Sequence, residues 1–429
     1  MRQREPDLQE LSSFNLAHPP TPSAVIFAET AADVQRAVRK AVEEGRGIAV
    51  QSTGHGTIGS NDGAVLVATQ RMTGIRVYPD RRTAWIGAGV RWSEVVAETV
   101  KHGLAPVNGS SPTVGVMGYA LSGGIGLLSR MFGFAADTIL AVQLVTADGE
   151  LLEVTPEENS DLFWGVRGGR GSFGVATAIE VQLFPLESYF GGGLYFHPDA
   201  AADVLPRYLE WVRTLPEWFG TSLAMRGPVP PVDNEGFAQF VHLRVTAAGD
   251  SNDAAALLHP MRSLPGIVLD SVDEKAYSRI REVHNDGGVP KPFTERSRLL
   301  PRLTEELLND MWHQYPDDDG YAPTLEFRHL GGAMDRMPAH PNAVAGRGSE
   351  FSFLVIGRTD DASRARAARA FQLADAASAG QPVPNFQGDE VGKDRVLASY
   401  DPQTAARLLE LKATHDPQNV FRFGHVIAP

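Results

Sequence analysis

Apolar and polar positions follow two textures along the chain. From Ala24 an apolar run, AVIFAE (24–29), reads as a buried strand. Thr30 stands where a helix cap is wanted, with Asp33 three residues on to complete a capping box. Val34, Ala37, Val38 and Val42 recur on one helical face, Gly45 and Gly47 stop the helix, and IAV (48–50) resumes as strand. These segments read as one βαβ unit feeding the loop QSTGHGTIG. An apolar strand at 63–69 follows, then two strands turning near Pro79-Asp80 and a helix over 92–103. Residues 104–137 are rich in glycine. ILAVQLVTADGELLEV (139–154) has the form of a hairpin turning at Asp148-Gly149. A helix around Asp161–Val166 precedes RGGRGSFG, and the alternating run VATAIEVQLFPL closes the block at Leu186.

Beyond Leu186 helical patterns at 200–214, 252–263, 303–314 and 361–377 alternate with strand patterns at 221–226, 238–245, 323–330 and 351–356. This mixture predicts an α+β domain with helices packed on one sheet face. A last helix is expected over 402–413.

Composition mainly excludes. A chain of 429 residues allows two or three domains at about 150 residues each. A hydrophobic share of 43% with 21% charged residues is that of a globular protein, so wholesale disorder is excluded. The 52 acidic against 39 basic residues give a net charge of −13, which argues against non-specific binding to nucleic acid or an anionic membrane. No apolar run has the length of a membrane span. The start, MRQREPDLQELSSF, lacks the apolar stretch of a secretory signal, so a cytoplasmic protein is expected. With no cysteine there is no disulfide, no thiolate nucleophile, no Cys-type zinc site and no cysteinyl cofactor link.

Glycine-dense loops at 52–59, 109–126 and 168–174 allow close backbone approach, and their N–H groups can cradle a pyrophosphate. Three in succession point to a large nucleotide cofactor. The run from Gly169 through Gly171 to Gly174 matches G-x-G-x-x-G. A helix precedes it and a strand follows, the reverse of the dinucleotide fingerprint. No Walker A, HExxH or G-x-S-x-G motif occurs. The acidic run Asp317, Asp318, Asp319 reads as a solvated loop rather than a metal site.

The motifs STGHG (52–56), GSSPTVGVMGYALSGGIGLLSRMFGFAAD (109–137), VTADGELLEV (145–154), DLFWGVRGGRGSFGVAT (161–177), PNFQGD (384–389) and YDPQTAARLLELKATHDPQNVFRFGHVI (400–427) carry a resemblance. In this order and spacing the chain resembles the FAD-linked oxidases of the berberine-bridge-enzyme type, within the vanillyl-alcohol-oxidase-like flavoproteins. The match covers nearly half the chain, and the middle resembles the family's substrate domain more loosely. The resemblance implies an α+β protein. A two-subdomain FAD-binding domain would take residues 1–186, completed by 385–429. A substrate domain (187–384) would hold an antiparallel sheet backed by helices. The implied cofactor is FAD. Ser52, Thr53, Gly54, His55, Gly56 and Thr57 would hold it in the first loop. Ser111, Thr113, Val114, Gly115, Gly118, Leu121, Gly123, Gly124 and Leu128 would do so in the second, with Gly174, Val175, Asn385 and His425 beyond.

His55 takes the place of the histidine that the family sets against the flavin 8α-methyl. A neutral imidazole is a good nucleophile near its unperturbed pKa of about 6.5. Attachment through His55 is therefore implied, the alternative being a histidine that only hydrogen-bonds in a turn. Many relatives add a second link through cysteine at the position of Ser111. Serine forms no thioether, so any tether is single. Val114 stands where a small valine goes with oxygen access and leucine with dehydrogenases; the alternative is a core valine. The family's usual catalytic tyrosine would fall at Val383, two residues before Asn385, so no phenolate base exists there. The tail ends Gly-His-Val-Ile, where relatives usually carry a terminal asparagine.

Strand alternation offers substitutes. In LEFRHL (325–330), Glu326 and Arg328 oppose Leu325 and Phe327. In VHLRV (241–245), His242 and Arg244 oppose Val241, Leu243 and Val245. If these strands are neighbours with helices over their apolar faces, Glu326, Arg328, His242 and Arg244 converge on one cavity wall. They would be catalytic, or a structural ion-pair network. Glu326 is the best base, as family members place a catalytic acid on this strand. Burial would raise its pKa and Arg328 would oppose that. Tyr119 is a weaker candidate for substrate contact, against simple packing near the cofactor. The two arginines point to an anionic or oxygen-rich substrate.

The leading expectation is an FAD-dependent oxidase. It would take a hydride from a hydroxylated natural product, sugar, hydroquinone or alkaloid-like amine and pass electrons to oxygen, giving hydrogen peroxide. The alternatives are a flavin-loaded protein that sequesters a small aromatic compound, and an FAD dehydrogenase with another acceptor.

Overall fold

The strands of the computed structural model fall into four sheets among the described residues, which are 11, 13–56, 61–227, 239–313, 323–388 and 392–429. Ala24–Phe27, Val65–Ala68 and Ile48–Gln51 form a parallel sheet in that spatial order. The first and third of these are parallel and joined by the helix Ala31–Glu43, a βαβ unit, with Val65–Ala68 inserted between its strands. Val65–Ala68 (VLVA) is buried at every position and takes the middle place, where both edges are paired. The helix Ala31–Glu43 is capped by Thr30 with the full capping box to Asp33. Its buried stripe is Val34, Ala37, Val38 and Ala41, with Val42 only partly covered.

A second sheet runs Ile75–Tyr78, Thr83–Gly87, Val175–Gln182, Ile139–Val145, Leu151–Val154, all antiparallel. The core around these sheets also takes in Leu408, Leu411, Phe421 and Ile427, so the C-terminal helix Pro402–His415 and the tail return to it. Buried Lys412 ties that return, donating to Asp416 and to the carbonyls of Ser172 and Phe421.

The largest sheet is antiparallel. Its order is Ile267–Asp270, Ser188–Phe196, Phe240–Ala247, Phe219–Arg226, Thr324–His329, Phe351–Gly357, Thr294–Leu300, with Asp273–Ala276 also on Ser188–Phe196. One face carries Leu223, Leu243, Leu325, Phe327 and Phe353. The helices Ala201–Val212, Ser251–Arg262, Glu305–His313 and Asp361–Ala376 cover it. Ser188–Phe196 and Thr294–Leu300 were not expected. Three glycines interrupt the alternation of the first, and in the second Arg296 and Arg298 read as surface. Arg298 in fact lies over Phe371 and pairs with Asp375 of a covering helix. Gly193 is required where it stands, because a Cβ there would overlap His242 Nε2 on the next strand. No helix among the described residues is long and apolar enough to cross a membrane.

Candidate active site

A cavity of about 510 Å³ lies between the glycine loops and the polar face of the large sheet. Its floor begins where the Ile48–Gln51 strand ends. Ser52 Oγ donates to Ala88 O at 3.0 Å, and Thr53 Oγ1 accepts from Gly115 N at 3.2 Å, joining the first loop to the second. His55 is held by hydroxyls on both nitrogens, Thr53 at 2.9 Å and Thr113 at 3.1 Å, and stacks on Phe14 at 4.0 Å. Burial, reinforced by Arg91, pulls its pKa down to about 3, so the imidazole is neutral. Ser111 Oγ extends the chain of hydroxyls to Thr113 at 3.1 Å.

The recess fits FAD. At Gly56, Gly118 and Gly171 an added Cβ would meet nothing within 4 Å, so the backbone lies open to a ligand there. Arg170 Nε and His425 Nδ1 are buried without partners. His425 Nε2 faces Gly388 O at 3.1 Å, and burial pulls this ring's pKa down to about 3 as well. A flat cofactor with polar edges would satisfy these idle atoms.

Of the residues named from sequence, Ser52, Thr53, Gly54, His55, Gly56, Ser111, Val114, Gly115, Gly118, Leu121, Gly174, Val175, Asn385 and His425 line this cavity. Thr113 acts on it through His55. Thr57, Asp317–Asp319 and Asp389 lie outside the described residues. Three others are corrected. Leu128 packs with Ala105, Tyr189 and Tyr277 in a separate apolar cluster. Gly123 and Gly124 lie behind the lining in left-handed backbone (φ +108° and +75°). Gly124 N donates to Asn385 Oδ1 at 2.9 Å, and a side chain there would strike the Tyr119 ring. Asn385 Nδ2 also donates to Tyr119 O at 2.9 Å, so Asn385 clamps the second loop.

On the sheet side the condition that the two charged strands be neighbours is not met. Phe219–Arg226 runs between them, with Ala224 opposite both His242 and Glu326, and Ser222 opposite both Arg244 and Arg328. These side chains are small enough for the flanking ones to meet over them. Glu326 Oε1 accepts from Arg328 Nε at 3.0 Å and from His284 Nε2 at 3.1 Å, with Arg328 Nη2 at 2.9 Å. Glu326 Oε2 has only Arg244 Nη1, at 3.3 Å. Burial alone would raise the Glu326 pKa, but Arg328 and Arg244, with His284, hold it well below the usual carboxylate range. The expected contest between burial and Arg328 thus goes to the cations.

His242 does not line the cavity, which corrects its placement there. It is fully buried, stacks on Tyr195 at 4.0 Å, and accepts from Arg244 Nε at 3.2 Å. Burial and Arg244 keep it neutral, and its task is to orient Arg244. Tyr119 packs edge-on to Trp92, and burial pushes its phenol above 10, which leaves it a neutral cofactor-side residue rather than a base. Val383 is sealed among Ile125, Leu299 and Met334, so the usual tyrosine position is plain core.

Sequence reasoning missed His284 and Arg226. His284 sits in the loop IREVHNDGG, which has no periodicity to orient it. Arg226 was legible, because it continues the alternation Ser222, Ala224 on a recognised strand. Among the described residues no group of three His, Asp or Glu side chains is arranged to hold a metal ion.

The glycine-lined recess facing an antiparallel sheet defines an FAD-binding flavoprotein. A family described as the FAD binding domain matches residues 22–155. The chain is 30% identical to the (R)-6-hydroxynicotine oxidase of Paenarthrobacter nicotinovorans, over 96% of this chain and 92% of that protein. It is 32% identical to the carbohydrate oxidase of Microdochium nivale, over 98% and 90% respectively. The crystal structure of 6-hydroxy-D-nicotine oxidase from Arthrobacter nicotinovorans superposes with a TM-score of 0.83 at 25% identity, covering 97% of this chain and 94% of that one. The chain belongs to the FAD-linked oxidases of the berberine-bridge-enzyme-like type, with the vanillyl-alcohol-oxidase fold. It is an FAD-dependent oxidoreductase, which sets the sequestration reading aside.

Proposed function

We propose that this flavoenzyme oxidises a small organic substrate at a carbon bearing oxygen or nitrogen, with molecular oxygen as acceptor and hydrogen peroxide as product. The observation that carries the reading is the ionised Glu326, offering its less occupied Oε2 in the same cavity as the glycine-lined recess and His55. The nicotine and carbohydrate oxidases among the relatives, by their names, act on molecules with such carbons.

FAD, when bound, supplies the acceptor for a hydride and then the donor to oxygen. The chain supplies position and proton handling. The loops Ser52–Gly56 and Ser111–Gly115, with Gly171, Gly174 and His425, would hold the cofactor, and the neutral ring of His55 is available for a single covalent link. Glu326 takes the proton of the substrate hydroxyl or amine at Oε2. Its low pKa makes it a weak base. That suffices when proton loss accompanies hydride loss, because an O–H or N–H next to an electron-poor carbon becomes strongly acidic. Arg328 and Arg244 keep the carboxylate ionised, and His284 donates to it without carrying charge.

The pH profile tests this assignment. A depressed carboxylate pKa means that the ionised form, and its contribution to stability, is present above the unfolded value and lost as pH falls through the folded one. No acid limb from Glu326 is therefore expected in kcat/KM down to pH 4.5, the ordinary glutamate value. A limb above that value that disappears in Glu326→Gln would contradict the arrangement.

Val114 is half-buried on the cavity lining, where its carbonyl accepts from Trp92 N at 3.1 Å. If oxygen passes beside it, Val114→Leu should slow reoxidation of the reduced protein by about tenfold or more, a barrier change of roughly 1.4 kcal/mol. Stopped-flow mixing with aerated buffer reads this directly, and an unchanged rate removes the gate. The function as a whole is tested by a peroxide assay over a panel of alcohols, sugars, amines and hydroquinones. Reduction by substrate without peroxide release would identify a dehydrogenase instead.

A further inference from the structure

We infer that the substrate carries a carboxylate and that Arg226 seats it. The inference rests on the oxidase reading above and adds the chemical class of its substrate. The two arginines that alternation singled out are already occupied. Arg328 gives Nε and Nη2 to Glu326 and Nη1 to Ile125 O at 3.0 Å. Arg244 gives Nε to His242, and its Nη1, which makes no hydrogen bond, is held in an ion pair with Glu326 at 3.3 Å. Arg226 is different. It lines the same cavity, is only 8% exposed, and has both Nε and Nη1 buried without a hydrogen-bond partner.

A guanidinium has five donors and stays charged at neutral pH. Burial, with Arg244 nearby, pulls this one down only to about 10. Leaving such a group buried and unpaired is costly, and a planar carboxylate accepts its fork through two parallel bonds. The acid whose charge acts most on it does not do so. Asp286, half-buried on the lining, interacts with the charge of Arg226 but makes no ion pair with it. On the lining Arg170, Arg226, Arg244, Lys291 and Arg328 outnumber the acids Asp286, Glu295 and Glu326, so the cavity wall carries a surplus of positive charge.

Position narrows the class further. Ala224 lies opposite Glu326, and Arg226 is two residues further along the strand, a displacement of about 7 Å. The carboxylate and the oxidised carbon should then be separated by several bonds, as across an aromatic ring, rather than adjacent as in an α-hydroxy acid.

The test titrates the purified full-length flavoprotein with benzoate, phenylacetate and 3-phenylpropionate, each against its neutral amide, and follows the visible flavin spectrum without turnover. At least one acid should perturb the spectrum saturably, about tenfold or more tighter than its amide. Arg226→Gln should weaken that acid by a similar factor and leave the amide unchanged, with Arg226→Lys in between. Should Arg226→Gln fail to load flavin, Asp286→Asn serves, since removing the competing carboxylate should tighten the acid. Equal binding of acid and amide, no binding of any acid, or an Arg226→Gln protein that binds the acid normally would overturn the inference. A protein that prefers acids yet never releases peroxide would instead sink the oxidase reading alone.

Discussion

Glu326→Gln should lower the rate of flavin reduction by substrate by about 10²- to 10⁴-fold, the usual worth of a positioned acid or base. The amide keeps the shape of the side chain and removes its charge. It cannot take the substrate proton, and Arg328 and Arg244 are left facing each other across Ser222 without the carboxylate they share. Breaking one partner of a buried ionic cluster costs about 3–5 kcal/mol, so the melting temperature should fall as well. Anaerobic stopped-flow reduction separates the two effects, because the flavin-loaded fraction reports its own rate. An unchanged reduction rate would return these side chains to the purely structural network. Arg328→Lys provides a second handle: with the fork gone, Glu326 is held down less, and an acid limb should move up towards the ordinary carboxylate range.

His55→Ala should release the flavin. In the wild-type protein, denatured and run on a gel, flavin fluorescence should stay with the chain; in the variant it should be lost. The neutral ring, fixed by Thr53, Thr113 and Phe14, has no charge whose removal would upset the fold. The stability cost should therefore stay within the common range of about 0.5–3 kcal/mol, with FAD still bound reversibly by the glycine loops. Ser111 cannot provide a second tether, so no residual adduct is expected. Wild-type protein that sheds its flavin on denaturation would remove the covalent link while leaving the fold and cofactor in place.

Much of this site could be read from local pattern. The order STGHG, GSSPTVGVMGYALSGG, RGGRGSFG, PNFQGD placed most of the cofactor recess, because each glycine loop needs only its own backbone freedom to do its work. Period-two alternation placed Glu326 and Arg328 on the polar face of their strand, and Arg244 on that of another. The same rule, carried two positions past Ala224, would have reached Arg226, though the absence of any partner there is not a local property.

What local pattern could not supply was the company each residue keeps. Leu128 belongs to a segment that supplies much of the cavity lining and still turns into a different apolar cluster. His242 shares a face with Arg244, yet Tyr195 covers it on the neighbouring strand. His284 reaches Glu326 from a loop with no alternation to aim it.

The sequence by itself determined the glycine loops, the histidine set between two of their glycines, the valine at the usual tyrosine position and the face on which the charges stand. All of these depend on residues close together in the chain. Only the tertiary structure decided that Phe219–Arg226 separates the two charged strands, that Ser222 and Ala224 let the charges meet above it, and that Glu326 is ionised. Strand order and the balance of desolvation against neighbouring charge arise from contacts between distant segments, and no periodicity in the chain encodes them.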